Sequence, residues 1–166
     1  KDIKIQLFSK LKNTTIFFDT DVDYKPLSKE YDYVIVANGN DSISSRLVSW
    51  TEWLSAYVRG AIILGEFDPN TMIVWINKDY CKNGYAYLTP FNSKKASLHL
   101  VVPDINPREM SAYWEMFLDT ENLRYSIVEE FIVKHKSGNA YPHRINNIFL
   151  TGNAAGMLEP LFGFGV

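Results

Sequence analysis

The chain carries many short apolar segments that are separated by turn residues. Between residues 57 and 102, four such segments are divided by Asp-Pro-Asn, Lys-Asn-Gly and Asn-Ser-Lys. The strands predicted there are 57–67, 72–77, 84–89 and 97–102. Short strands with turn signals at this spacing are typical of antiparallel strands that follow one another in sequence. We therefore expect an antiparallel sheet of at least four strands in this region.

Three earlier segments also have strand patterns. Residues 4–8 alternate, residues 14–19 are rich in β-branched and aromatic side chains, and residues 33–37 form a continuous apolar run. The continuous run is typical of a strand that is buried on both faces, as in a parallel sheet. A short helix is predicted over residues 42–49.

The C-terminal half begins with a helix signal. Asn106 can cap a helix, Pro107 suits its first position, and Glu109 lies three residues after the cap. This pattern predicts a helix that runs to about residue 118. The remaining segments are predicted as a second helix at 121–131, a strand at 131–136, a loop at 138–147 and a last strand at 148–151.

Composition narrows the classes of function. The 166 residues are 46% hydrophobic, which is sufficient for one sizeable core, and the net charge of −2 gives no sign of a nucleic-acid surface. Cys81 is the only cysteine, which excludes an internal disulfide. His99, His135 and His143 are scattered, so we interpret them as surface or structural residues and predict no metal site. No apolar run reaches the ~18 residues of a membrane span.

Two glycine-containing turns follow apolar strands. The first is Asn38-Gly39, directly after the run at 33–37. The second lies within residues 147–165, where a strand leads into Gly-Asn-Ala-Ala-Gly, then a proline, then Gly-Phe-Gly. Glycine lets a bulky ligand approach the backbone because no Cβ stands in the way. A strand, turn and helix without any ligand is the alternative interpretation of both motifs.

Together these turns resemble two flavin-contacting motifs of the superfamily of FAD-dependent hydroxylases and geranylgeranyl reductases. The family patterns are a strand followed by Ala-Asp-Gly, and a strand followed by Gly-Asp-Ala-Ala-Gly, Pro and Gly-x-Gly. Asn38 and Asn153 stand where the family has Asp. In the family the second of these acids accepts a hydrogen bond from a ribityl hydroxyl, and an Asn carbonyl can also accept one. The resemblance implies cofactor-binding roles for Asn38, Gly39, Gly152, Asn153, Ala154, Ala155, Gly156, Pro160, Gly163 and Gly165.

A third motif lies in the predicted sheet. The segment Gly-Tyr-Ala-Tyr-Leu-Thr-Pro at residues 84–90 is similar to the Gly-Tyr-x-Trp-x-Phe-Pro signature of geranylgeranyl reductase-like flavoproteins. Alternation puts Tyr85, Tyr87 and Thr89 on one face of the strand. The resemblance implies substrate-binding roles for Tyr85, Tyr87 and Pro90, beside a flavin or an apolar substrate. Ordinary sheet core is the alternative interpretation of these aromatic residues.

The resemblance implies an α+β fold in which one domain interrupts another. Residues 1–48 and 146–166 belong to a Rossmann-like FAD-binding domain, and residues 49–145 to an antiparallel substrate domain with helices. The chain is then the central fragment of an FAD-dependent oxidoreductase and inactive alone, because it lacks the Gly-x-Gly-x-x-Gly fingerprint that binds the pyrophosphate.

The resemblance also implies the activity of the full-length protein. We expect reduction or hydroxylation of an apolar or aromatic small molecule, with FAD as the cofactor and NAD(P)H as a candidate electron donor. The expected location is the cytoplasm, with a peripheral membrane position as an alternative. No catalytic residue is assigned.

A non-catalytic binding or interaction domain is the second hypothesis. Such a domain keeps the fold and has lost flavin chemistry. The uncharged residues Asn38 and Asn153 and the missing fingerprint favour it.

Overall fold

The computed structural model describes residues 3–39 and 44–157 and has an α+β architecture. The helices are α1 (Ile3–Phe8), α2 (Tyr24–Glu30), α3 (Ser44–Leu47), α4 (Lys78–Cys81) and α5 (Met110–Thr120). The strands are β1 (Val34–Val36), β2 (Ser49–Leu64), β3 (Ile73–Trp75), β4 (Tyr85–Asn92), β5 (Lys95–Pro103), β6 (Ser126–Tyr141), β7 (Arg144–Ile145) and β8 (Ile148–Leu150). None of these helices is long and apolar enough to cross a membrane.

The chain divides into two compact units, Lys1–Val34 and Ile35–Val166. The first unit contains α1 and α2, and Asp23 caps α2 by accepting a hydrogen bond from the Lys25 amide at 3.0 Å. The strands predicted at 4–8 and 14–19 are wrong, since the first segment is α1 and the second has no regular secondary structure. A strand is stable only beside a paired neighbour, and the described part of this unit pairs no strand with either segment.

Five strands of the second unit form an antiparallel sheet in the order β3-β4-β5-β2-β6. The sheet predicted for residues 57–102 is thereby confirmed. The central strand β2 begins at Ser49, well before the predicted start near Tyr57, because its first half pairs with β6.

Strand β6 corrects the sequence prediction for this region. It spans Ser126–Tyr141 and pairs with β2 from Ser126 opposite Leu64 to Tyr141 opposite Ser49. The helix predicted at 121–131 is therefore wrong, and the loop predicted at 138–147 begins inside the strand. The strand predicted at 131–136 is confirmed as the middle of β6.

The hydrophobic core lies between this sheet and the helices α4 and α5. The helix signal at residue 106 is confirmed, because Asn106 Oδ1 accepts from the Arg108 amide at 3.0 Å and Glu109 Oε2 accepts from the Asn106 amide at 2.7 Å. Helices α4 and α5 cover one face of the sheet. The buried cluster between them consists of Ala61, Ile63, Tyr80, Cys81, Ala86, Leu88, Ala96, Leu98, Leu100, Val102, Met110, Trp114 and Phe117.

A second sheet has the strand order β1-β8-β7. The strands predicted at 33–37 and 148–151 are confirmed as β1 and β8, each three residues long. Burial on both faces of β1 was expected, but Val36 is buried and Ile35 is 69% exposed. The helix predicted at 42–49 is confirmed only over α3, which is four residues long, because Ser49 already begins β2.

Candidate functional site

The two turns that resemble flavin motifs leave neighbouring strands at the same edge. The Thr151 amide donates to the Val36 carbonyl at 3.0 Å. Val36 is the last residue of β1, and Thr151 directly follows β8. The carboxyl ends of the two strands therefore lie side by side, with the turns at residues 38–39 and 152–156 next to each other. In open sheets, ligands bind in the crevice outside such carboxyl ends.

Two glycines of these turns have positive φ angles. Gly39 has φ +79° and Gly152 has φ +57°. A Cβ built on either residue meets no atom of the residues that the structure describes within 4 Å. Both positions have a backbone conformation that favours glycine, and the missing Cβ lets a ligand approach the main chain.

The small residues that follow have a different role, which is to seat the turn against the large sheet. Gly156 has φ +72°, and a Cβ there would lie 2.7 Å from the Gly138 carbonyl oxygen and 2.8 Å from the Ala140 nitrogen of β6. Ala154 and Ala155 are fully buried. These three residues fix the position of the turn, so that Gly152 and Asn153 lie at a defined place next to β6.

Asn153 lies in the first turn after β8, as predicted. It belongs to a 3-10 turn that spans Gly152–Ala155. Its side-chain oxygen Oδ1 is buried and has no hydrogen-bond partner among the described residues. A buried acceptor without a donor costs about 1–3 kcal/mol, so this oxygen is a natural partner for a hydroxyl or amide of a ligand.

The first turn is closed by a buried serine. Ser44 Oγ donates to the Gly39 carbonyl at 3.0 Å, and Ser44 is fully buried. This bond ties the start of α3 to the end of the turn. Asn38 lies on the surface beside Gly39. Pro160, Gly163 and Gly165, also predicted to bind the cofactor, lie outside the described residues.

The second part of the candidate site is the open face, by which we mean the face of the five-stranded sheet opposite α4 and α5. Leu88 and Leu98 point into the core beneath the helices, so alternation turns Tyr87 and His99 to the open face. Tyr85 and Tyr87 share this face as predicted, with ring centroids 5.8 Å apart.

One row of paired residues crosses the open face from β4 to β6. Tyr87 pairs with His99, His99 with Gly60, and Gly60 with Phe131. Because Gly60 has no side chain, the Phe131 ring lies over it and meets the His99 ring edge-on, at 5.6 Å and 90°. We call Tyr85, Tyr87, His99 and Phe131 the aromatic floor, and all four are half-buried.

The centre of the aromatic floor holds its polar atoms. Tyr87 Oη lies 2.5 Å from His99 Nδ1, and the two ring centroids are 4.6 Å apart. Burial lowers the pKa of His99, so the imidazole is neutral near pH 7. Burial and the neighbouring Tyr85 raise the pKa of Tyr87, which keeps its phenol protonated. One hydrogen bond thus joins two neutral groups, and its donor depends on the imidazole tautomer.

His99 is the residue that sequence reasoning missed. The scattered spacing of the histidines predicts a surface or structural residue, and the structure places His99 in the middle of the aromatic floor. Alternation in β5 puts it on one face with Ser97 and Val101, but only the strand register pairs it with Tyr87. Pro90 is not brought to this floor, because it pairs with the core residue Ala96 and alternation turns it to the other face.

An apolar cleft of about 180 Å³ lies on the helix-covered side of the sheet. Its walls include Ile63, Leu98 and Trp114, with Arg124 and Tyr125 as polar lining residues. The Arg124 guanidinium is paired with Asp119 at 3.1 Å. Most of the lining of this cleft is therefore apolar.

The fold is shared with solved flavoproteins. The chain superposes on a geranylgeranyl bacteriochlorophyll reductase-like protein from Thermoplasma acidophilum with a TM-score of 0.68 and 16% identity, over 81% of this chain. It superposes on the flavin-dependent brominase Bmp2 with a TM-score of 0.61, 18% identity and 81% coverage. For aklavinone-11 hydroxylase, solved with FAD and aklavinone, the TM-score is 0.50, with 17% identity and 74% coverage.

These likenesses confirm the predicted fold: the chain has the fold of part of these solved flavoproteins. It spans 36% of the length of the reductase-like protein, 38% of the brominase and 26% of the hydroxylase. No family model matches the sequence.

Proposed function

We propose that this chain is part of an FAD-dependent oxidoreductase that acts on an apolar or aromatic small molecule. The observation that carries the proposal is the juxtaposition of the two turns. Gly39 and Gly152 are far apart in sequence, and the hydrogen bond from Thr151 to Val36 holds their strands side by side. No described residue fills the space that a Cβ would occupy at either glycine, and the fold is shared with solved flavoproteins.

The residues of this edge fit FAD. The backbone at Gly39 and Gly152 admits a close approach, and Asn153 Oδ1 lacks the donor that a ribityl hydroxyl supplies. Asn38, Gly39 and the described residues of the second turn would hold the cofactor, together with Pro160, Gly163 and Gly165. When bound, FAD supplies the redox chemistry, and the protein supplies position and environment.

The proposed division of labour follows the two sheets. Residues 1–48 and 146–166 are assigned to the flavin-binding domain, and residues 49–145 to the substrate domain. Tyr85 and Tyr87 are assigned to the substrate, because they lie on the open face rather than in the core beneath the helices. NAD(P)H is the candidate electron donor, and the cytoplasm is the proposed location.

A second candidate function is a binding domain without flavin chemistry. The observation that favours it is the absence of charge at Asn38 and Asn153, where the family that the chain resembles has Asp. A neutral acceptor contributes roughly 1 kcal/mol to a hydrogen bond, against about 1.5–3 kcal/mol for a charged one. Under this hypothesis the turns remain as structural connections.

Titration with FAD separates the two functions. We expect the full-length protein that contains this chain to bind FAD. Quenching of the flavin fluorescence measures this binding. Asn153→Asp should tighten binding several-fold, because a carboxylate strengthens the bond to the ribityl hydroxyl.

Asn122→Asp is the matched control, since Asn122 is exposed and lies beyond the end of α5, far in sequence from both turns. Its FAD affinity should equal that of the wild type. Absence of FAD binding by the wild type would contradict the flavoprotein proposal. Binding that is equally tight in wild type and Asn153→Asp would remove Asn153 from the cofactor site.

A further inference from the structure

We propose that the Tyr87–His99 pair binds the hydroxyl group of a ring-containing, otherwise apolar substrate that lies on the aromatic floor. This inference rests on the proposed function, because it names the substrate class of the same site. It assigns a role to His99 and Phe131, which the family resemblance does not mention.

The shape of the floor favours a flat ligand. Tyr85, Tyr87, His99 and Phe131 form a chain of ring contacts with centroid distances of 5.8, 4.6 and 5.6 Å. Gly60 keeps this chain continuous, since any side chain there would displace the Phe131 ring. Ring systems pack on such a surface by offset or edge contacts, each worth about 0.5–1.5 kcal/mol beyond the buried area.

The polar pair restricts the chemistry of the ligand. If His99 Nδ1 accepts the Tyr87 proton, Tyr87 Oη offers a lone pair, and the ligand must donate. If His99 Nδ1 carries the proton and donates it to Tyr87 Oη, the phenol donates onward, and the ligand must accept. A hydroxyl group does both, so it satisfies the pair in either tautomer. A carbonyl only accepts and an ammonium group only donates, so each of them satisfies one arrangement alone.

The surroundings of the pair make this hydrogen bond selective. Ligand sites are mostly apolar with a few placed polar groups, and the floor has this composition. A ligand that covers the floor shields Tyr87 Oη from water. A ligand ring without a hydroxyl leaves Tyr87 Oη without this hydrogen-bond partner. Such a ligand therefore binds with lower affinity.

Matched probes test the inference in the full-length protein. We choose 2-naphthol and naphthalene, which share the ring system and differ by one hydroxyl, and measure both Kd values by ligand-observed NMR titration. The wild type should prefer 2-naphthol by about fivefold, the effect of one neutral hydrogen bond. Tyr87→Phe removes only the phenol oxygen and should bring the two Kd values within twofold of each other.

Two further variants separate the pair from the rest of the fold. His99→Phe keeps a ring in the floor and removes Nδ1, so it should also reduce the preference. Tyr125→Phe makes the same chemical change as Tyr87→Phe at a tyrosine that packs against Phe67, at 5.5 Å, beside the helix-covered core. It should keep the wild-type preference.

The inference is overturned if the wild type binds neither probe, binds both equally, or keeps its preference in Tyr87→Phe. FAD titration of the same preparations distinguishes its failure from that of the proposed function. FAD binding without a preference for 2-naphthol overturns the inference alone. A preference without FAD binding supports a hydroxyl-binding floor and contradicts the flavoprotein proposal.

Discussion

The two faces of the five-stranded sheet are built from different side chains and in different ways. On the helix-covered face, aliphatic residues such as Leu88, Leu98 and Leu100 are at most 1% exposed and pack against α5. On the open face, half-buried aromatic rings meet in tilted or edge-to-face contacts, and a hydrogen bond of 2.5 Å joins Tyr87 to His99. The same strands supply both faces, because alternate residues point in opposite directions.

The difference indicates which face stabilises the protein and which is available for function. A fully buried cluster gains most from close packing and tolerates little change. A half-buried aromatic surface with one polar pair gains less from packing and retains area for a ligand. The comparison therefore predicts that matched substitutions have unequal effects on stability across the sheet.

The largest difference is expected for removal of a phenylalanine ring. Phe117 is fully buried and contacts the rings of Trp75, Tyr80 and Trp114 at 5.1–5.9 Å. Phe117→Ala should lower the free energy of unfolding by about 3–5 kcal/mol. Phe131→Ala should cost clearly less, since its ring is already partly exposed. Urea unfolding of both variants measures this, and equal losses would contradict the distinction between the faces.

A smaller effect is expected where the open face depends on a missing side chain. A Cβ at residue 60 overlaps the Phe131 ring, so Gly60→Ala should cost roughly 1–3 kcal/mol. In a Phe131→Ala background the same substitution should cost much less, because the obstructing ring is gone. The coupling between the two sites is obtained from a double-mutant cycle.

Gly84→Ala is the matched control for that cycle. A Cβ at residue 84 overlaps the backbone carbonyl of Val101, which no side-chain substitution relieves. Phe131→Ala should leave the cost of Gly84→Ala unchanged. Additive losses for Gly60→Ala and Phe131→Ala would show that the ring does not rest on Gly60.

The features predicted from sequence are those with local signals. Residues close together in sequence predict the cap at Asn106 and the turns between β2 and β5, and the structure confirms these features. Strand β6 has such a signal only in its middle, whereas its first part includes Glu129 and Glu130 and suggests a helix. Only pairing with β2, more than sixty positions earlier, makes it a strand. Long-range pairing overrides local preference in this way.

The candidate site also has one part that local patterns predict and another that depends on long-range strand pairing. Alternation alone put Tyr85 and Tyr87 on one face, and the ring contact confirms it. His99 and Phe131 joined them only through the register of three strand pairs, with Gly60 between. No local pattern in a single sequence encodes that register. The sequence therefore predicts the positions of Tyr85 and Tyr87, but not those of His99 and Phe131.

The smallest expected effect is a loss of stability at acidic pH, and it also distinguishes the two faces of the sheet. His99 and His135 both lie on the open face, since His135 pairs with Ala56 in the same alternation as Phe131. Burial lowers the pKa of each below its ordinary value of 6.5, and His135 Nε2 is buried without a partner among the described residues. Both imidazoles are therefore neutral in the folded protein near pH 7.

The sign of the pH dependence follows from these lowered pKa values. Below about pH 6.5 the unfolded chain binds protons that the folded chain excludes, so the free energy of unfolding falls as the pH falls. Above that pH both states are neutral at these residues, and their contribution is constant. We expect this loss to begin as the pH falls through about 6.5 and to end below the lowered pKa values of the folded protein.

Replacing both histidines should flatten this part of the stability curve. The double variant His99→Gln and His135→Gln is expected to be less stable than the wild type at pH 7.5, but to lose less of its stability on acidification to pH 5. His143→Gln, at an exposed position outside the sheet, should retain the wild-type slope. Urea unfolding at a series of pH values measures all three proteins. Identical slopes in the wild type and the double variant would place the acid sensitivity elsewhere than on the open face.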